Sequence, residues 1–206
     1  MQHLFGMVNA SGSLSAKCQA ANSASAASAV PAVGGAEVPA PGPWDCLMAA
    51  TAEQYVESPL FFLQSRFDHF QLGSELALPC MVRQSYTPPW KVAICSAAEV
   101  RGLKAYAADL RAELSRVVRA PAARRGLYLS SCIILGQTSV NAWTQTKIAR
   151  VTLQQAWRAW YGGLANESSG KWVEDCPGGL PCNPNVLACA PYTYIASITS
   201  ISIENS

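Results

Sequence analysis

Residues 59–71 read PLFFLQSRFDHFQ, an unbroken apolar run that passes directly into polar residues. The run from Pro59 to Leu63 is short, and its pattern is typical of a strand buried on both faces of a parallel sheet. Asp68 then lies just beyond the carboxyl end of the predicted strand. On the amino-terminal side of the run, Glu53 to Val56 is predicted to end a helix.

A second strand is predicted at residues 126–135, GLYLSSCIIL, and a long helix separates the two strands. The helix is predicted from about Ala97 to Arg119, with the capping-box pair Ser96 and Glu99 at its start and Pro121 after its end. Its apolar residues recur at steps of three and four: Val100, Leu103, Ala107, Leu110, Leu114 and Val117. Strand, helix and strand in this order predict an α/β fold with a right-handed crossover and a parallel sheet.

The regions that flank this unit differ from it in composition. Residues 19–43 are almost entirely Ala, Ser, Val, Gly and Pro, which predicts a flexible insertion or linker. A second helix is predicted from about Lys147 to Trp160, followed by a loop region rich in Cys, Pro and Gly. The last residues, 192–206, alternate weakly and fit either an edge strand or a frayed tail.

The composition excludes several classes of protein. Half of the 206 residues are hydrophobic and 14% are charged, which is typical of a globular protein, and one domain is expected at this length. The net charge of +2 is small and the basic residues are scattered, so we expect no nucleic-acid partner. We also expect no membrane span, because no apolar stretch reaches 18 residues.

The cysteines indicate an oxidising compartment. Eight are present: Cys18, Cys46, Cys80, Cys95, Cys132, Cys176, Cys182 and Cys189. They lack Cys-x-x-Cys pairs, and the only histidines are His3 and His69, so we expect disulfides and no metal. Sequons at Asn9 and Asn166 agree with secretion. Because the opening residues do not resemble a secretory signal, we expect that a preceding N-terminal portion would carry it.

Six segments in order resemble the pectin acetylesterase/Notum family. Residues 46–71 resemble its Cys, helix, "PLF(I/L)" and "YDxWQ" pattern, and Trp90 with Cys95 resembles its "W…C" loop. The helix that follows Cys95 resembles "C(N/S)xxQLxxLxxFR". Residues 126–132 resemble "G(M/L)F(I/L)NSC", and residues 175–184 resemble the closing "DCPYPCNPTC".

This resemblance implies a partial α/β-hydrolase fold with parallel strands, crossover helices and disulfide-stapled loops. Residues 1–18 would begin a truncated hydrolase region, 19–43 would be an insertion, 44–190 the C-terminal part of the hydrolase domain, and 191–206 a tail. The family's reaction is the hydrolysis of esters, typically O-acetyl groups on pectin, by a Ser, an Asp and a His without a cofactor. Acetylated pectin or another acetylated glycan would be the partner of an active full-length protein.

The site residues match the family only in part. Asp68 stands at the position of the family's acid; without the resemblance it would be a loop aspartate or a helix N-cap. The sequence contains no Gly-x-Ser-x-Gly elbow, and Ser96 is predicted to be a helix N-cap instead. Leu135 stands where the family has its histidine, and leucine cannot accept a proton. His69 is predicted to be a surface residue.

The cysteines allow specific pairings, although connectivity cannot be read from a sequence. Cys18 with Cys46 would close off the insertion, and Cys80 with Cys95 is a second plausible pair. The four cysteines from Cys132 onward would pair among themselves.

Two functions follow from these observations. The chain is interpreted as part of a secreted or cell-wall pectin acetylesterase-like carboxylesterase, inactive alone because the serine elbow and the histidine are absent. The alternative is a catalytically inactive, disulfide-rich scaffold that binds polysaccharide or a protein partner. Trp157 and Trp160 are predicted to be core residues, while Trp90 or Trp143 could stack on a sugar.

Overall fold

The structure, a computed structural model of the chain, describes residues 12, 14–27, 42–68, 70–82, 95–138, 142–163, 170–179 and 182–183. The chain divides into two compact units, Met1–Pro59 and Leu60–Ser206. None of the helices in the described ranges is both long enough and apolar enough to cross a membrane.

The first unit is helical and is held by a disulfide. It contains α1 (Ala16–Ala27), a 3₁₀ helix (Pro43–Leu47), α2 (Ala49–Ala52) and a second 3₁₀ helix (Glu53–Tyr55). The disulfide Cys18–Cys46 joins α1 to the first 3₁₀ helix, with both side chains buried. Residues 19–27 therefore belong to a helix, whereas the sequence predicted a flexible insertion from residue 19. Alanine, the strongest helix former, dominates these residues, and the disulfide anchors their first turn.

The second unit contains the parallel sheet. Its elements in chain order are β1 (Leu60–Ser65), a π-helical turn (Gln71–Glu75), α3 (Pro79–Val82), α4 (Ala97–Glu113), α5 (Ser115–Arg119), β2 (Arg125–Ser130), α6 (Ala142–Gln145), β3 (Lys147–Ile148), β4 (Val151–Thr152), α7 (Leu153–Tyr161) and β5 (Lys171–Val173). The sheet has the order β1-β2-β5, and both pairings are parallel. This confirms the predicted α/β class.

Strand β2 is the central strand, and helices cover both of its faces. Leu127 and Leu129 point toward Val117 of α5, while Tyr128 points the opposite way, toward Leu153 and Ala156 of α7. All six β2 residues are buried. Strand β1 packs on both faces as predicted, with Phe61 and Leu63 against one buried cluster and Phe62 against another, but it is only half-buried except at Ser65. It has a partner strand on one side only among the described residues.

The crossover helix agrees closely with its prediction. The Ser96 hydroxyl accepts a hydrogen bond from the Glu99 amide at 3.3 Å, and the Glu99 carboxylate accepts one from the Ser96 amide at 2.6 Å. The predicted helix is interrupted only at Leu114, which separates α4 from α5. Pro121 follows the end of α5 as expected.

Two sequence predictions for the second unit were wrong at their boundaries. The predicted strand 126–135 ends at Ser130, and the helix predicted from Lys147 begins at Leu153. Residues 147–152 form a β3–β4 hairpin instead, in which Ala149 and Arg150 have positive φ angles of 48° and 70°. Strand β5 was not predicted, because three residues are too few to show a period. The predicted C-terminal strand or tail lies outside the described residues.

The packing of β2 predicts a sensitive glycine. A Cβ atom at Gly126 would lie 2.5 Å from Cδ2 of Phe61 and 2.8 Å from the Trp160 ring. We expect Gly126→Ala to lower the free energy of unfolding by about 1–3 kcal/mol, because these rings must shift to admit the methyl group. Urea unfolding with the disulfides intact measures the change. Gly178→Ala is the control, since no atom lies within 4 Å of its Cβ position; equal stability of the two variants would contradict the prediction.

Candidate functional site

The carboxyl ends of β1 and β2 bring the predicted site residues to one edge of the sheet. Ser65 is paired in register with Ser130, and the Arg66 amide donates to the Ser130 carbonyl at 2.8 Å. Asp68 follows β1 by three residues, and Leu135 follows β2 by five. In open α/β sheets ligands bind at this edge, outside the carboxyl ends of the strands.

Asp68 has one carboxylate oxygen occupied by the backbone. Its Oδ1 accepts hydrogen bonds from the amides of Phe70 at 2.9 Å and Gln71 at 3.3 Å, so it caps the π-helical turn. The residue is 8% exposed. Both bonds go to Oδ1, and within the described part of the chain no donor occupies Oδ2, which can accept from a further group. Asp68 therefore has the N-cap role that its residue type allows and can still serve as an acceptor.

The Ser65 hydroxyl fixes the turn that leads from β1 to Asp68. It accepts a hydrogen bond from the Phe67 amide at 3.1 Å and donates to the Cys132 carbonyl. Phe67 itself is buried in a cluster with Leu72, Leu103 and Ile133. The loops after the two strands are thus joined both by a hydrogen bond and by apolar packing.

The loop after β2 presents Leu135 to solvent. Leu135 is 49% exposed, whereas Cys132 and Ile133, earlier in the same loop, are buried. Across the loop, the Ser130 hydroxyl donates to the Gln137 side-chain oxygen at 3.1 Å. Position 135, which the resemblance in sequence matched to the family's histidine, is therefore an open one, on a loop held at both ends.

A polar cluster around Glu174 ties β2 to the segment after β5. The Glu174 carboxylate accepts hydrogen bonds from the amide and the hydroxyl of Ser131, both at 2.8 Å. It also accepts from the Asn183 side-chain amide at 2.8 and 3.0 Å. The Ser131 hydroxyl in turn accepts from the amides of Cys182 and Asn183, each at 3.0 Å. Ser131 and Asn183 are buried, so these bonds satisfy polar groups that water does not reach.

Sequence reasoning did not assign this role to Glu174. The closing motif that begins at Asp175 includes Asn183, yet the motif alone does not show that Asn183 reaches back to the residue before it. The signal that could have drawn attention to Glu174 is its place directly after an apolar segment and directly before Asp175-Cys176.

Arg66 is a buried cation at the same edge. It is 5% exposed, and its guanidinium donates to the Glu174 backbone carbonyl at 3.0 Å. Among the described residues, its Nε has no hydrogen-bond partner. Burial, together with the charge of Arg111, lowers the pKa of Arg66, while Asp175 and Glu174 raise it. Arg111 itself forms an exposed ion pair with Asp175.

Disulfides stabilise the loops of this region. Cys80–Cys95 and Cys176–Cys182 form, and Cys132 is also disulfide-bonded. Cys18–Cys46 and Cys80–Cys95 are the two pairings named from the sequence.

Within the described ranges, no group of side chains could hold a metal ion. Several predicted residues lie outside the described residues: Cys189, Asn9, Asn166, His3, His69 and Trp90.

Comparison with known proteins gives two positive findings. The family described as Pectinacetylesterase matches residues 20–187. Two crystal forms of the Wnt deacylase Notum from Drosophila share the fold at 23% identity. Crystal form II has a TM-score of 0.50, covering 69% of this chain and 34% of that chain; form I has 0.51, covering 70% and 35%. The chain therefore spans about a third of the length of these structures. No curated protein sequence matches it.

The Glu174 cluster predicts a specific loss of stability. We expect Glu174→Gln to lower the free energy of unfolding by about 1–3 kcal/mol, because the introduced amide places a donor among groups that already donate. Thermal melts in parallel with urea titrations measure it. Asp175→Asn is the matched control, since it removes an exposed ion pair with Arg111, worth about 0–1 kcal/mol, and a charge that acts on Arg66 as that of Glu174 does. A control loss as large as that of Glu174→Gln would refute the role of the cluster.

Proposed function

Because the chain belongs to the pectinacetylesterase family, which matches residues 20–187, we propose that it forms the acid-bearing part of a carboxylic ester hydrolase. Asp68 is its catalytic acid. The observation that supports this assignment is the place of Asp68 at the carboxyl edge of the sheet, with Oδ1 held by two backbone amides. The same two bonds orient Oδ2 for another donor.

The chemistry explains what such an acid would do. In acyl transfer a serine hydroxyl attacks the ester carbonyl while a histidine takes its proton, and the acid holds the imidazole in the required tautomer. A fixed Oδ1 and an available Oδ2 suit this task, since one oxygen sets the orientation of the carboxylate and the other accepts from the imidazole. Backbone amides beside the serine would stabilise the oxyanion.

The 206-residue chain lacks the other two members of this set. Its sequence contains no Gly-x-Ser-x-Gly elbow, and Leu135 occupies the position of the histidine. We therefore propose that the chain does not hydrolyse esters by itself. The substrate of a complete, active protein would be an O-acetylated glycan of the pectin type; an acyl group on a protein, as in the Wnt deacylase, is the other class that the fold admits.

Leu135 favours a second candidate function. A leucine at this exposed position removes the general base but leaves the core intact. The remaining structure is a disulfide-stapled scaffold that could bind polysaccharide or a protein partner without acting on it. The disulfides also support the proposal that the protein is secreted, because such bonds persist in oxidising compartments.

The first prediction from this proposal concerns activity. We expect the chain to release acetate from acetylated pectin no faster than the same protein after boiling, because neither the nucleophile nor the base is present. Acetate is measured over time at several protein concentrations, with an active pectinacetylesterase as the positive control. Release that grows with time and with the amount of native protein would overturn the proposal of an inactive chain.

A second prediction tests Asp68 as the acid without requiring hydrolysis. In Leu135→His, we expect the introduced imidazole to have a pKa raised by about one unit above its ordinary value near 6.5, because the Asp68 carboxylate stabilises the charged form. NMR titration measures this pKa, and the signals of His3 and His69 are identified from the unsubstituted protein. Adding Asp68→Asn should return the pKa to its ordinary range while keeping the Oδ1 cap.

The control places a histidine elsewhere on the surface. Val118 on α5 is similarly exposed, and we expect the pKa of the imidazole in Val118→His to be the same with either residue at position 68. If the pKa of the imidazole at position 135 is likewise unchanged by Asp68→Asn, Asp68 is not placed to orient a base and the assignment fails.

A further inference from the structure

Helix α7 turns two aromatic side chains toward solvent. It buries Leu153 and Ala156 against the sheet, yet Trp157 is 36% exposed and Tyr161 is 73% exposed. The prediction that Trp157 belongs to the core was therefore wrong. Trp160 does pack inward, with its ring 5.3 Å from that of Phe61. Exposed apolar side chains that lie next to one another, unlike scattered ones, mark a candidate binding surface.

The exposed rings form an ordered stack. Trp157 and Tyr161 lie one helical turn apart, with ring centroids 4.8 Å apart and planes inclined by only 11°. Trp143 of α6 flanks Trp157, with centroids 6.2 Å apart. We call these three residues the aromatic face. Because Trp157 covers the inner side of the Tyr161 ring, the outer side of that ring is the part open to solvent.

The elements that carry the aromatic face are anchored to the rest of the unit. Trp143 packs against the buried cluster that contains Tyr128, Ile148 and Leu153. The helix that bears the other two rings begins with a capping box, in which the Thr152 hydroxyl accepts from the Gln155 amide at 3.1 Å. Rings fixed in advance lose little conformational entropy when a ligand binds, which favours affinity.

The charge around the aromatic face is positive. Arg158 is exposed and adjoins Trp157 on the outer side of α7, one turn before Tyr161. Lys147 and Arg150 are exposed on the hairpin that leads into the helix. Between residues 142 and 163 the sequence contains no Asp or Glu. The partner that suits this combination carries flat apolar surfaces together with carboxylates.

We propose that the aromatic face binds an acidic polysaccharide built of uronate sugars, as in pectin. The C–H face of one sugar ring lies on the outer side of Tyr161 and extends the stack with Trp157. The sugar's carboxylate accepts hydrogen bonds from the Arg158 guanidinium, which is suited to bidentate contact. The inference shares the glycan ligand of the proposed function but requires no hydrolysis and does not involve Asp68.

Polygalacturonate is the probe, and binding to the intact 206-residue chain is measured by calorimetry at two salt concentrations. We expect Tyr161→Ala to weaken binding about fivefold or more, and Tyr161→Phe to change it less than twofold, because the ring is retained. We expect Arg158→Gln to weaken binding and to reduce its salt dependence. Arg119→Gln on α5 is the charge control, since α5 packs on the opposite sheet face, and it should bind as the unsubstituted chain does.

Four outcomes would overturn the inference. They are the absence of polygalacturonate binding, equal binding of a neutral polysaccharide, full affinity in Tyr161→Ala, and a concentration-dependent dimer that Tyr161→Ala abolishes. If the melting temperatures of the variants are unchanged, unfolding is excluded as the cause of a loss of binding. Acetate release and the titration of Leu135→His test the proposed function separately, so either conclusion can fail while the other stands.

Discussion

Strand β2 is hydrogen-bonded to a parallel strand on each side, and a helix packs on each of its faces. Every side chain along it must therefore fit a space that is already enclosed. The alternation of Leu127, Tyr128 and Leu129 divides the apolar contacts between α5 and α7. Gly126 admits the Phe61 and Trp160 rings where no Cβ would fit. Ser130 and Ser131, both buried, lie at the carboxyl end of the strand, where the polar residues of the candidate site begin.

The polar residues at this edge of the sheet stabilise the two loops and also orient a carboxylate. Glu174 and Asn183 hold the loop after β2 by satisfying the buried Ser131, so they fix the backbone from which position 135 projects. On the neighbouring loop, Oδ1 of Asp68 accepts hydrogen bonds from the amides of Phe70 and Gln71. These two bonds hold the second carboxylate oxygen in place. On the loop after β1, hydrogen bonds that hold the backbone therefore also set the direction of a carboxylate, whereas the loop after β2 presents the inert side chain of Leu135.

Local patterns in the sequence were enough to predict part of this arrangement. The capping box at Ser96 and the apolar stripe after it identify the crossover helix, because both depend on residues within a few positions of each other. The step of three from Ile148 to Val151 fits a helix equally well, but the two residues face each other across a hairpin. The contact between Glu174 and Ser131 could not be recognised in advance, since the two residues lie 43 positions apart in the sequence.

Leu135 lies at the surface, so the fold does not depend on which residue occupies this position. A change of residue at this exposed position carries no packing penalty comparable to the loss of a buried side chain. The sheet, the disulfides and the Glu174 cluster do not depend on it. Neither does the aromatic face, whose rings are supported by α6, α7 and the hairpin before α7. The proposed catalytic site and the proposed polysaccharide surface can therefore be kept or lost independently, because different residues determine them.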